Sequence, residues 1–168
     1  MLSDKMQAAL NRQLNVEMES AYTYLAMAAQ ADCLDLPGFT NWFQMQYKEE
    51  LGHAERIFNF ILERFGKVEL ESIAKPELKS GITPLGLFQE SLKHEQYVSK
   101  CIFDLKDLAK AESDHSVDVF LEWFVREQVE EEANTQNVID QLKLVDGDKN
   151  GLFMIDRELA GRKEEAVG

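Results

Sequence analysis

Three prolines, nine glycines and two cysteines are few for 168 residues, and each shortage excludes something. With so little Pro and Gly the chain is neither collagen-like nor loop-rich, so long uninterrupted elements are expected. Cys33 and Cys101 lie in no CxxC and beside no His, which removes a disulfide framework and a thiolate metal site. They read as reduced thiols of a cytoplasmic protein. Bases are short as well: 18 Lys and Arg against 31 acids give a formal charge of −13. Nucleic acid needs clustered Lys and Arg, so it is excluded as a partner. Metal cations or basic surfaces are the natural complement. No apolar run approaches the roughly 18 residues of a membrane span. The start, "MLSDKMQAAL", lacks the basic stretch and apolar run of a signal peptide.

What is abundant is helix-forming residue types: Ala, Leu, Glu, Gln, Lys and Met. Breaks fall at Pro37-Gly38, at "GKVELESIAKPELKSGITP" (66–84), at "ESDHS" (112–116) and at "DGDKNG" (146–151). The spacing predicts helices α1 over about 4–32, α2 over 37–65, α3 over 84–110, α4 over 115–144 and a short α5 over 149–161. Pro37 and Pro84 suit first turns, and Thr83 is a candidate N-cap for α3. Short α1–α2 and α3–α4 connections make antiparallel neighbours. About 18 extended residues between α2 and α3 reach up to roughly 60 Å, further than the roughly 40 Å of a 27-residue helix. The expectation is therefore one domain over 1–168, an all-α four-helix bundle with one long α2–α3 crossover plus a short C-terminal helix. A strand over "VELESI" would be a single isolated one.

The stretch "REQVEEEANTQ" (126–136) packs Glu127, Glu130, Glu131 and Glu132 into two turns. Like charges at that spacing destabilise a helix. Stepping by four and three along α4 gives Val117, Leu121, Phe124, Gln128, Glu131, Thr135, Val138 and Leu142. The ends of this seam are apolar and its middle is polar. The same walk gives Leu10, Leu14, Glu17, Ala21, Tyr24, Ala28, Ala31 on α1, and Phe39, Phe43, Gln46, Glu50, His53, Ile57, Phe60 on α2. On α3 it gives Phe88, Leu92, Glu95, Ser99 and Ile102. Glu17, Glu50, Glu95 and Glu131 each sit about 11 to 16 residues into their helices, close to one level at 1.5 Å per residue.

Four carboxylates in a core cannot all stay ionised and unpaired, since each uncompensated buried charge costs several kcal/mol. A multivalent cation resolves this. Oxygen donors with one imidazole suit Fe²⁺, Mn²⁺ or Zn²⁺, and two adjacent metals bridged by Glu50 account for the number of donors.

The combination of a mid-helix Glu on α1, "EELGH" on α2, "HEQ" on α3 and "EQVEEE" on α4 resembles the bacterial non-haem ferritins, over nearly the whole chain. The resemblance implies that Glu17, Glu50 and His53 hold one iron, and that Glu50, Glu95 and Glu131 hold a second with Gln128 beside it. Glu49, Glu127, Glu130 and Glu131 would form a third, more exposed site. Tyr24 resembles a tyrosine that hydrogen-bonds the centre and can supply an electron. The implied activity is ferroxidase: Fe²⁺ oxidised by O₂ (or H₂O₂) and stored as ferric oxyhydroxide inside a 24-subunit homo-oligomeric shell, with α5 lining four-fold channels. One departure matters. Di-iron bundles often carry two ExxH motifs, and here only Glu50–His53 qualifies. Leu51 stands where bacterioferritin carries its haem-binding methionine, so no haem is expected.

Rival readings are a rubrerythrin-like di-iron peroxidase, which lacks its CxxC pairs here, and a non-catalytic acidic bundle that buffers cations. His94 and His115 read as surface or turn residues, Trp42 and Trp123 as packing, and Glu132 as a solvated acid. "DGDKNGLFMIDRE" starts like an EF-hand loop, but its twelfth position is Arg157 where a bidentate Glu belongs, so it reads as the α4–α5 turn.

Overall fold

The computed structural model describes residues 1–79 and 81–163. Five helices form: α1 Asp4–Asp32, α2 Pro37–Glu63, α3 Pro84–Ala111, α4 His115–Val145 and α5 Lys149–Leu159. No strand occurs among the described residues, 68–73 included. The helix ends lie within two residues of the sequence-based ones. Among the described residues, no helix is long and apolar enough to cross a membrane.

Local chemistry fixes most of the ends. Ser3 accepts from Met6 N at 3.0 Å to cap α1, and Thr83 accepts from Gly86 N at 3.0 Å to cap α3. Asp114 caps α4 through Val117 N while holding the Arg64 guanidinium at 2.9 and 3.1 Å. The α4–α5 turn takes its shape from Asp146 and Gly147, both left-handed (φ 44° and 80°), and Asp148 then caps α5. The start of α2 is different. Its preceding residue, Leu36, gives no side-chain cap. Instead Asp156 of α5 accepts from Gly38 N at 2.8 Å and Phe39 N at 3.1 Å. A Cβ at Gly38 would fall 1.6 Å from the Asp156 carbonyl oxygen, so only glycine lets α5 lie this close.

The long connection runs along α1, held by side chains that imitate a β-ladder. Gln7 Oε1, Asn11 Oδ1 and Asn15 Oδ1 accept from the backbone N–H of Lys67, Glu69 and Glu71 at 2.7, 2.7 and 2.9 Å. The Asn11 and Asn15 amides donate back to the carbonyls of Lys67 and Glu69 at 2.8 and 3.1 Å. Residues i, i+4 and i+8 of a helix face one way, and they meet alternate residues of an extended chain. This satisfies its backbone without a partner strand.

Two apolar cores fill the bundle. One holds Phe39, Trp42, Phe43, Phe88, Met27 and Leu142; the other holds Leu10, Ile57, Ile61, Ile102, Leu121 and Phe124. Every seam residue read from the sequence is buried except Phe60 and Leu92, which are half-buried. Between the cores lies a band of buried polar side chains.

Candidate metal centre

The band is built from the middle turns of all four long helices. Glu17, Glu50, His53, Glu95, Gln128 and Glu131 are each at most 3% exposed. The helical spacing of three and four, extended from the apolar ends, carries each side chain inward at this level.

Glu17, Glu50 and His53 form one group, each offering a donor atom within 4.8 Å of the others. His53 Nδ1 lies 3.2 Å from Glu50 Oε2 and 3.9 Å from Glu17 Oε2. Gln13, one turn before Glu17, donates to its Oε1 at 2.8 Å. The other oxygen, Oε2, is buried with no hydrogen-bond partner, and so is His53 Nε2. Buried polar atoms are nearly always satisfied, so these two stand out, and the group they belong to could hold a metal ion. Burial, then the Glu50 charge, pushes the Glu17 carboxyl up to about 8. Burial also holds Glu50 well above the usual carboxylate range, with Glu95 and Glu131 adding to it.

The remaining half of the band is already hydrogen-bonded. The Tyr24 hydroxyl donates to Glu95 Oε1 and sits 3.0 Å from Ser91 Oγ. Gln128 Nε2 donates to Glu95 Oε2 at 3.1 Å. Gln46 Nε2 donates to Glu131 Oε2 at 2.8 Å across the bundle. Burial raises both carboxyls, Glu131 to about 7, and for Glu95 the Tyr24 and Gln128 hydrogen bonds oppose the rise. Burial, then the Glu95 charge, holds the Tyr24 phenol well above its ordinary value, so it stays a donor.

His53 faces both ways. Its Nε2 lies 4.0 Å from Glu127 Oε1, and His53, Glu127 and Glu131 form a second possible donor group. Of the four carboxylates read as a third site, Glu127 and Glu131 therefore approach His53. Glu130 is exposed, and Glu49 is buried against the Arg162 guanidinium at 2.7 Å.

Several neighbours differ from the sequence reading. His94 is half-buried rather than on the surface, and it bonds Ser20 Oγ at 2.7 Å. Burial lowers its imidazole to about 4, so it is neutral. Glu132 is half-buried and accepts from Ser99 at 2.5 Å, so it is not simply a solvated acid. Trp123 packs edge-on to His53 under the Arg56 guanidinium, and Trp42 packs on Phe43 and Phe88. The sequence reading missed Gln13, whose place four residues before Glu17 is a usable signal. It also missed Ser91 and Arg162, which carry no local signal, whereas Ser99 lies on the α3 seam as read.

A carboxylate-rich band with one imidazole, closed in by two apolar cores, defines a helical-bundle protein whose middle holds a donor group that could take a metal ion. The ferritin-like domain family model matches residues 7–145. The chain belongs to the ferritin family. It is 40% identical to a bacterial non-haem ferritin of Bacteroides fragilis strain 638R over 96% of this chain and 100% of that one. It is 37% identical to a bacterial non-haem ferritin of Staphylococcus aureus strain MRSA252 over 96% and 97%. Among solved structures, a closed form of Archaeoglobus fulgidus ferritin engineered by site-directed mutagenesis superposes with a TM-score of 0.96 at 41% identity, over 98% of this chain and 100% of that one. An open-pore ferritin from the same archaeon gives 0.94 at 42% identity, over 96% and 98%.

Proposed function

We propose that this chain stores iron and is a ferroxidase: it binds Fe²⁺ as substrate in the mid-bundle band, oxidises it and passes Fe³⁺ on to a mineral. The observation that carries the reading is the Glu17–Glu50–His53 group with its unpaired Glu17 Oε2 and His53 Nε2. Family membership supports iron storage as the role.

The residues divide the work. Glu17, Glu50 and His53 hold one Fe²⁺. Glu50, Glu95 and Glu131 hold a second, with Gln128 beside it. Loading releases protons from Glu17 and Glu50, because a ligating carboxylate must be ionised. Two Fe²⁺ give two electrons to O₂, which takes two protons to leave as H₂O₂. Hard anionic oxygens stabilise Fe³⁺ more than Fe²⁺, which favours this step. Tyr24 fixes one Glu95 oxygen and would be the residue to supply an electron. Glu49, Glu127 and Glu130 receive Fe³⁺ next. Twenty-four such chains closing a shell would carry a formal charge of roughly −300, which cations must offset. The setting of this chemistry is the cytoplasm, and the whole of 1–168 acts as one domain.

A rubrerythrin-like peroxidase is disfavoured by the absence of CxxC pairs to deliver electrons. Aerobic and anaerobic Fe²⁺ additions, followed by size-exclusion chromatography with iron analysis, test the reading. A large assembly that retains many irons per chain only in air is the expected result. A monomer or dimer holding two irons per chain would overturn storage.

A further inference from the structure

The segment after α5 is held in place from α2. Asp156 caps the start of α2, and Asn41 Nδ2 reaches back to the carbonyls of Leu159 and Arg162 at 3.2 and 3.0 Å. This reciprocal capping fixes the backbone at Arg162. Its guanidinium lies over the Trp42 ring, 4.6 Å from the centroid, and its Nη2 is 2.7 Å from Glu49 Oε2. The two side chains are 14% and 6% exposed. This ion pair is therefore largely out of water, unlike the chain's exposed Lys–Glu contacts. Its other terminal nitrogen, Nη1, is buried without a hydrogen-bond partner.

We propose that Arg162 is a tethered counter-cation for Glu49, held there by α5 and displaced when a metal ion reaches that carboxylate. The inference rests on the reading above, in which Glu49 receives metal leaving the di-iron positions. A metal ion on the Glu49 carboxylate would sit close beside the guanidinium, and the two positive charges repel. The two cations therefore compete, and the more firmly α5 holds Arg162, the weaker the metal binds. The arrangement answers a physical need at each stage. Without metal, a buried Glu49 charge is compensated. With metal passing, the stop is kept weak, so iron moves on instead of lodging there. Arg162 is a positioning residue: it touches Glu49 and none of Glu17, Glu50 or His53, and its charge also reaches Glu131.

The test is anaerobic isothermal titration of the intact assembly with Fe²⁺, and with Zn²⁺ as a redox-inert probe. In the wild type two binding events per chain are expected, followed by weak binding. Arg162→Gln should leave the first event in place, weaken neither of the first two, and tighten the third by at least about tenfold, more than it changes the second. Arg162→Lys keeps the charge and should restore the wild-type isotherm. Asn41→Ala keeps the guanidinium but loosens its anchor. It should move the third event the same way by less, and it serves if Arg162→Gln fails to assemble. An Arg162→Gln isotherm identical to the wild type, or one weakened at the first two events, would overturn the proposal. A wild type with no tight events at all would instead sink the functional reading itself.

Discussion

The two halves of the polar band are built from the same residue types and left in opposite states. Around Glu17, Glu50 and His53, two buried atoms, Glu17 Oε2 and His53 Nε2, have no hydrogen-bond partner, although Gln13 serves the other Glu17 oxygen. Around Glu95 and Glu131, the donors are already present: Tyr24, Gln128 and Gln46. The first half keeps buried polar atoms unpaired. The second is a hydrogen-bonded network that a cation must partly dismantle. The difference teaches that burial alone does not specify affinity. What matters is how many of the buried lone pairs the protein has already used. On the function proposed above, a first metal should bind at Glu17, Glu50 and His53 and a second more weakly.

The largest effect should come from the residue common to both halves. Glu50→Ala should slow Fe²⁺ oxidation on the order of a hundredfold in stopped-flow absorbance. Oxidation at the wild-type rate would mean that the band is not the site.

Exchanging a donor for an acceptor should make the halves alike. Gln128→Glu removes the donor to Glu95 and adds a carboxylate, so anaerobic titration should show the second metal bound about tenfold more tightly. The metal-free protein should melt several degrees lower, because a further acid is buried unpaired. A second event that stays weak would show that hydrogen bonding is not what separates the halves.

The metal-free band also predicts an unusual pH dependence. Glu17 moves from an ordinary 4.5 to about 8 and Glu131 to about 7 in the folded chain. Between about 4.5 and 8 the folded state then holds more protons than the unfolded one, so stability falls as pH rises. In chelator the thermal midpoint should drop by about 5 °C or more from pH 5 to pH 8. A bound divalent metal should remove the drop, since it replaces the protons. A midpoint that climbs with pH in chelator would contradict the buried-acid picture.

The smallest effect should be at the edge of the second half. Tyr24→Phe deletes one donor to Glu95, and chemical denaturation should show a loss of about 1 kcal/mol. The first metal-binding event should not change. If the first event weakened instead, the halves would not be separable.

Much of the centre was legible in advance because it repeats along each helix. A seam that reads apolar, polar, apolar on four helices places Glu17, Glu50, Glu95 and Glu131 at one level, and all four are buried there. Thr83 was readable as a cap for the same reason: its partner is three residues away. His94 was not readable, because what buries it comes from other elements, Ser20 and Tyr24 of α1 among them. Glu132 looked solvated until Ser99 of α3 was found beside it.

The sequence by itself determined the helices, their polar middles and the donor types, because these depend on spacings of three and four residues within one helix. Tertiary structure decided which donors stay unpaired, that Asn11 and Asn15 grip the crossover, that Asp156 caps α2 and that Arg162 covers Glu49. Those contacts join residues roughly 55 to 120 positions apart. No local periodicity encodes them; they exist only once the packed helices bring the partners within hydrogen-bond reach.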